Sequence, residues 1–170
     1  MSELPLKRKD FQRLADLRAR EAGILARSGC EQGAYYLAGY AVECALKACI
    51  AKKTRRHDFP PKKSYVDKVY RHDLETLFKL ADLDEQRDEE MKRNETFRLN
   101  WFVVKDWNEE KRYETSGLKG KALYEAVAGT DGVLKWIRQR RNGRGAAREA
   151  SDRNALTRQQ GSTRSIFPRH

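Results

Sequence analysis

Two charged and two aromatic side chains lie at helical spacing inside the most apolar stretch of the chain, residues 34–50, which reads AYYLAGYAVECALKACI. Glu43 and Lys47 are four residues apart, and Tyr36 and Tyr40 continue the same line toward the N-terminus. Residues at this spacing are neighbours on one face of an α-helix. A charge is costly to bury unless it is paired. The spacing therefore predicts a Glu43–Lys47 ion pair that either stabilises the helix at the edge of a core or marks a ligand-binding cleft or an interface.

Two further pairs of residues have types that could bind a ligand. His72 and Asp73 directly precede an apolar run that reads LETLFKL. Asp73 is expected either to cap a helix, with His72 packed under it, or to accompany a titrating His72 that lines a ligand cleft. Arg112 and Tyr113 form either a loop ion pair over a core ring or a pair that binds phosphate and stacks on a base.

Residues 52–71 are strongly basic, with eight Lys and Arg residues against two Asp, and Phe59, Tyr65 and Tyr70 lie between them. Basic side chains interleaved with rings are typical of single-stranded nucleic acid binding. The alternative is a solvated surface loop. The predicted nucleic-acid-binding residues are Lys52, Lys53, Arg55, Arg56, Lys62 and Lys63.

The composition narrows the class of protein. The chain has 170 residues, enough for one domain with a core, and a formal net charge of +11, which favours acidic partners and nucleic acid first. No apolar run is long enough to span a bilayer, and the first residues, MSELPLKRKDF, lack the core of a signal peptide. We therefore expect a cytoplasmic protein without membrane association. The three cysteines are expected to be reduced, with Cys44 and Cys49 packed as small apolar groups, and neither a metal nor a cofactor is expected.

The apolar periodicity predicts an all-α fold. Helices are expected at residues 7–28, 31–53, 72–80 and 84–107 and from residue 118 onward, with loops at 55–71 and 108–117. Residues 129–132 could break the last helix, but Leu123, Val127, Leu134 and Ile137 keep one phase across them, so one continuous helix is expected. Residues 1–141 are expected to form a helical bundle. The Arg-rich tail, residues 142–170, has few large apolar residues and is predicted to be disordered.

Taken in order, four motifs resemble those of the HEPN domains (higher eukaryotes and prokaryotes nucleotide-binding). They are GAYYLAGYAVECALKACI, the HDL of residues 72–74, the segment WFVVKDWNEEKRY, and GVLKWI near residue 137. The resemblance covers about residues 8–140 and implies an antiparallel four-helix bundle with an extra short helix, usually a homodimer. It also implies nucleotide or RNA biology, often with a minimal nucleotidyltransferase as partner in a toxin–antitoxin or defence-type pair, whereas other members are metal-independent ribonucleases.

The ribonuclease motif of that family, an Arg followed after four to six residues by a His, is matched only by Arg164 and His170. That match ends on the last residue, and Pro168 prevents a regular helix there. Neither His57 nor His72 has an Arg at the required distance. The expected function is therefore a nucleotide- or RNA-binding module, or a nucleotidyltransferase-partner module, without an intact ribonuclease motif in its helical core. The alternatives are a HEPN ribonuclease toxin and a pure protein-interaction module.

Overall fold

The computed structural model of the protein describes residues 6–54 and 63–141. The chain divides into two units, residues 1–137 and 138–170, and only residues 138–141 of the second unit are described. The described elements are α1 (Arg8–Arg27), α2 (Glu31–Thr54), α3 (Lys63–Val69), α4 (Leu74–Leu80), α5 (Asp84–Arg93), α6 (Glu95–Val104), a 3₁₀ turn (Glu109–Tyr113), α7 (Gly120–Ala128) and α8 (Val133–Arg141). No strand occurs in these two ranges, and the predicted all-α class is confirmed.

The first two helices form the most extensive helix pair of the described chain. They are joined by residues 28–30, where Gly29 has φ +72°, a backbone conformation that side chains with a Cβ rarely adopt. The Cys30 N–H donates to the Leu25 carbonyl at 2.9 Å and closes the turn. A turn this short reverses the chain, so α1 and α2 run antiparallel. Their predicted boundaries agree with the structure within one residue.

Helix α2 lies at the centre of the fold and packs against α1, α4, α7 and the 3₁₀ turn. From Ala41 to Ile50 every residue except Lys47 is buried. Many of these side chains are small, which lets neighbouring helices approach closely. Burial on nearly all sides explains why residues 34–50 are apolar almost throughout rather than along one stripe.

One of these close approaches depends on a glycine. A Cβ built on Gly39 would lie 2.2 Å from Cγ of Trp107 and 2.3 Å from Cδ1 and Cδ2 of the same ring. Trp107 is only 2% exposed, so its indole packs directly on the backbone of α2. Gly39 is needed here for space and not for backbone freedom.

A cluster of aromatic rings forms the other part of the core. Phe78 of α4 meets Trp101 of α6 edge-on, with ring centroids 4.7 Å apart, and Phe97 lies 5.2 Å from Trp136. The buried Arg87 of α5 covers this cluster, with Cζ 4.7 Å from the centroid of Trp101. Such a cation–π contact lets a charged side chain close an aromatic core.

The predicted helix over residues 84–107 is wrong as a single element, because the chain leaves the helical conformation at Asn94. Asn94 has φ −127° and ψ 99°, and its side chain accepts a hydrogen bond from the Phe97 N–H at 3.0 Å. It therefore ends α5 and caps α6. Asn competes well for this position because its short side chain satisfies a backbone N–H that has no partner within the helix.

The predicted continuous helix across residues 129–132 is also wrong, since α7 ends at Ala128 and α8 begins at Val133. Asp131 has φ +50°, and the Asn100 side chain donates to the carbonyls of Thr130 and Asp131 at 3.0 and 3.2 Å. The apolar residues that suggested one phase, namely Leu123, Val127, Leu134 and Ile137, are all fully buried. Both helices bury their apolar residues in the same core, and this keeps the apolar spacing in phase although the helix is not continuous.

The predicted loop over residues 55–71 is only partly right. Residues 63–69 form α3, whereas residues 55–62 lie outside the described part of the chain. The predicted tail, residues 142–170, lies outside it as well. Within the described ranges, none of the helices combines the length and the apolar character that crossing a bilayer requires.

Candidate functional site

Four of the predicted site residues lie along one side of α2, and we call this set the α2 polar face: Tyr36, Tyr40, Glu43 and Lys47. The two tyrosines are half-buried, the Lys47 side chain is 13% exposed, and Glu43 is buried. Three other segments bring a cationic or titratable side chain to this face. These are Arg18 from α1, His72 from the residues before α4, and Arg112 from the 3₁₀ turn.

The carboxylate of Glu43 is the buried centre of this arrangement. Glu43 is 1% exposed, and its Oε1 lies 2.8 Å from Lys47 Nζ. Its two oxygens also lie 3.0 and 2.9 Å from Nδ1 of His72. The ion pair predicted from the sequence is thus present, and it is more than a surface contact at the helix edge, because a third side chain from a distant segment joins it. One side chain of this group remains accessible, since that of His72 is 40% exposed.

The two tyrosines form a stacked pair on the N-terminal half of the α2 polar face. The ring centroids of Tyr36 and Tyr40 are 6.0 Å apart with planes inclined by 20°. Tyr36 lies against the buried Trp107, at 6.2 Å between centroids, and the Arg18 guanidinium is 5.9 Å from the Tyr40 centroid. The stacked pair therefore packs on the core ring of Trp107 and lies beside the guanidinium of Arg18.

Burial also sets the protonation of nearby groups. Desolvation is the main cause that raises the pKa of Tyr40, and the charges on Cys44 and Glu43 add to it. Desolvation likewise raises the pKa of the buried Cys44 thiol to about 12, although a hydrogen bond from the Tyr40 hydroxyl acts in the opposite direction. Cys44 is therefore a neutral thiol at physiological pH, without the thiolate character that a nucleophile needs.

Arg112 joins the N-terminal end of the α2 polar face to the 3₁₀ turn. Its Nη2 donates to the Tyr113 hydroxyl at 2.8 Å, its Cζ lies 4.7 Å from the Tyr113 centroid, and it also interacts with Tyr36. These interactions, first with Tyr113 and then with Tyr36, raise the pKa of Arg112. Tyr113 is 72% exposed, so the interpretation of this pair as an ion pair over a core ring is wrong. The pair is an exposed cation and ring beside the tyrosine stack.

Asp73 does not belong to this constellation. Its side chain accepts a hydrogen bond from the Thr76 N–H at 2.7 Å, which is the predicted N-cap of α4. Of the two roles predicted for the His72–Asp73 pair, Asp73 therefore has the structural one, that of a helix cap. The His72 side chain contacts Glu43 instead.

The basic segment is described only in part. Lys53 forms an ion pair with Asp82 and donates to the Leu80 carbonyl at 3.2 Å, so it ties α2 to the end of α4. Lys52 is exposed on the last turn of α2, and Lys63 is the first residue of α3. Several other predicted site residues lie outside the described part of the chain: Arg55, Arg56, Lys62, Arg164 and His170.

The sequence analysis did not identify two residues that lie close to the α2 polar face, Arg18 and Cys44. Arg18 lies on another helix, ion-paired with Glu21 at 2.6 Å, and its approach to Tyr40 depends on the packing of α1 against α2. Cys44 was interpreted only as a packed thiol, which its burial confirms. The spacing of four residues between Tyr40 and Cys44 was the available signal for their hydrogen bond.

Within the described residues, no cluster of three or more His, Cys, Asp or Glu side chains is arranged to hold a metal ion. Comparisons of the chain with protein-family models, with curated proteins and with solved structures found no match.

Proposed function

We propose that the protein is a HEPN-like nucleotide- or RNA-binding module that binds its ligand on the α2 polar face. The observation that carries this proposal is the alignment of a tyrosine stack with cationic side chains at both of its ends. Arg112 interacts with Tyr36 at one end, and Lys47 and His72 meet at Glu43 toward the other.

The chemistry of this face suits a single-stranded nucleic acid. Aromatic side chains offer stacking surfaces to bases of any identity, and flanking Arg or Lys side chains attract the phosphates. Lys47 lies eleven residues after Tyr36 on α2, which at helical rise corresponds to about 16 Å. This length exceeds that of one base, so the face suits a short run of nucleotides. The net charge of +11 supports the same ligand class.

In this proposal the bundle has the HEPN-like arrangement of four long members. These would be α1, α2, the broken pair α5–α6 and the broken pair α7–α8, with α4 as the added short helix. A nucleotidyltransferase partner and a role in a toxin–antitoxin or defence-type pair belong to the same proposal and rest on the motifs of the sequence.

The test uses two exposed arginines that differ in position. Arg112→Gln removes the cation beside Tyr36, whereas Arg98→Gln removes an equal charge from the Arg98–Glu95 pair on α6. Binding of a fluorescein-labelled single-stranded oligouridylate is measured by anisotropy over a range of salt concentrations. We expect Arg112→Gln to weaken binding and to reduce the salt slope by about 0.7, the value for one phosphate contact on a single strand.

Arg98→Gln should leave the salt slope close to that of the wild type. Equal slopes for both variants would remove the α2 polar face as the binding site. Failure of the wild type to bind the oligonucleotide at low salt would refute the proposed function itself.

A protein-interaction role is a second candidate, favoured by exposed apolar side chains on α6. Leu99, Phe102 and Val103 are 55%, 47% and 45% exposed and share one face of the helix at spacings of three and four residues. A homodimer or a partner complex would bury this face. Light scattering on the wild type and on Phe102→Glu tests it: a dimer that becomes monomeric in the variant supports self-association there, and an unchanged mass excludes this face as the dimer contact.

A further inference from the structure

The geometry around His72 determines which of its two ring nitrogens carries a proton. Both oxygens of Glu43 face Nδ1, at 3.0 and 2.9 Å. An ionised carboxylate only accepts hydrogen bonds, so Nδ1 must be the N–H donor whether the ring is neutral or charged. In the neutral ring, Nε2 therefore has a lone pair and no proton. Nε2 lies on the opposite side of the ring from Glu43, and the His72 side chain is 40% exposed.

A phosphate oxygen needs a donor, which the neutral form of His72 does not offer at Nε2. Protonation at Nε2 converts the ring into an imidazolium that donates from both nitrogens. We propose that phosphate binding at this end of the α2 polar face is proton-linked, with His72 taking up one proton at Nε2 as the anion binds. This inference rests on the proposed function and adds its regulation by pH. No covalent bond forms or breaks, and the proton comes from the solvent.

The charges around His72 explain why one proton matters. Glu43 and Lys47 are paired at 2.8 Å, so with a neutral His72 the three side chains carry no net charge. With His72 protonated, they carry one positive charge, which attracts an anion.

Among the described residues, the other charged and titratable groups near this centre come from four segments. Tyr40 and Cys44 lie on α2, Arg18 on α1, Asp73 at the start of α4, and the exposed Arg71 next to His72 in the chain. The carboxylate of Asp73 is bound to the Thr76 N–H, and the thiol of Cys44 has its pKa raised by burial to about 12.

The first measurement needs no ligand. Nitrogen-15 NMR of the imidazole rings, with His72→Gln used to identify the His72 signals among the three histidines, reports the tautomer of the full chain. At about pH 8 we expect a protonated Nδ1 and an unprotonated Nε2. The opposite tautomer would overturn the inference. Addition of inorganic phosphate at constant pH should shift the same signals toward the imidazolium, and signals that stay neutral at saturation would also overturn it.

The second measurement compares the pH dependence of oligouridylate binding for the wild type and for His72→Gln. Because charges elsewhere in the chain affect both proteins equally, the difference between their slopes isolates His72. We expect the affinity of the wild type to fall more steeply with rising pH than that of the variant, by up to about tenfold per pH unit, the limit for uptake of one proton.

The outcomes separate the two proposals. Binding that keeps its Arg112-dependent salt slope but shows the same pH slope in the wild type and in His72→Gln overturns the proton linkage alone. No binding of the oligonucleotide or of phosphate at any pH overturns both.

Discussion

Replacement of Gly39 by alanine provides a sensitive test of how the core supports the α2 polar face. In an ordinary helix, Gly→Ala is stabilising by about 1 kcal/mol because alanine loses less backbone entropy. At Gly39 the added Cβ would lie 2.2 Å from Cγ of Trp107, far inside van der Waals contact. The neighbour is a rigid, 2% exposed indole and not the end of a flexible chain, so the ring itself must move.

The expected loss follows from the size of that ring. A buried Trp removes roughly 200 Å² from water, which at about 25 cal/mol/Å² is worth about 5 kcal/mol if the ring is displaced completely. Partial displacement, reduced by the gain in helix propensity, gives an expected destabilisation of about 2–4 kcal/mol for Gly39→Ala. For a chain of this size the thermal midpoint should fall by roughly 5–15 °C.

Gly33→Ala is the matched control on the same helix. Its Cβ would meet Cδ1 of Leu25 at 2.9 Å, and the next atom is 3.9 Å away. Because that methyl group belongs to a flexible, half-buried side chain, it can move aside, and stability should change by less than about 1 kcal/mol.

Urea and thermal unfolding followed by far-UV circular dichroism measure both variants. The reasoning also predicts coupling: Trp107→Leu should cost less in the Gly39→Ala background than in the wild type, because the clash has then been removed. Equal stability of Gly39→Ala and the wild type would refute the direct packing of Trp107 on the α2 backbone.

Two other predictions concern buried polar groups. Burial raises the pKa of Cys44 from 9.0 to about 12, so the unfolded chain loses this proton at lower pH than the folded one. The free energy of unfolding should therefore fall as pH rises between these values, by about 1.4 kcal/mol at pH 10. Urea titrations at alkaline pH should show a shallower fall for Cys44→Ala than for the wild type. A slope equal to that of the wild type would exclude Cys44 as its source. The Cζ of Arg87 lies 4.7 Å from the Trp101 ring, and its Nη1 has no hydrogen-bond partner among the described residues. The packing of this side chain should therefore contribute more to the stability of the protein than its charge does. The free energy of unfolding of Arg87→Met should therefore lie within about 1 kcal/mol of the wild-type value, and that of Arg87→Ala should be lower by about 2 kcal/mol. Denaturant unfolding in which Arg87→Met is the less stable of the two variants would contradict this view.

The parts of the fold that follow local rules could be predicted from the sequence. The boundaries of α1 and α2 depend on glycine at the turn and on apolar spacing, and the start of α4 depends on the Asp73 cap. The line from Tyr36 to Lys47 on one face of α2 is a direct consequence of helical geometry.

The two wrong predictions, a single helix over residues 84–107 and a continuous helix across residues 129–132, concern places where the apolar pattern does not show that the helix is interrupted. The apolar residues on either side of 129–132 keep one phase because α7 and α8 pack on the same core, although Asn100 binds the carbonyls of this break. Asn94 ends α5 and caps α6 in the middle of the range that was predicted to be one helix. The phase of an apolar pattern therefore does not reveal whether the backbone is continuous.

The part of the site that most affects its chemistry could not be found by spacing at all. His72 and Glu43 are 29 residues apart, and they meet only because α4 packs against α2. The sequence offered both residues as candidates, yet no local rule joins them. Which ring nitrogen of His72 faces the carboxylate is likewise a property of the tertiary structure.

The enclosure of α2 also determines how the molecule opens. Amide hydrogens exchange with solvent only when their hydrogen bonds break, and those of an enclosed helix require the surrounding helices to separate first. Of the described residues, 41–50 should therefore show the slowest exchange, at a rate set by global unfolding. Those of α3 and of the exposed 3₁₀ turn should exchange through local fluctuations. Glu43 and Lys47 belong to the slow segment, while Arg112 belongs to the fast one. The Glu43 end of the α2 polar face is thus expected to open only when the whole fold opens, whereas Arg112, beside the other end, belongs to a segment that is expected to open locally.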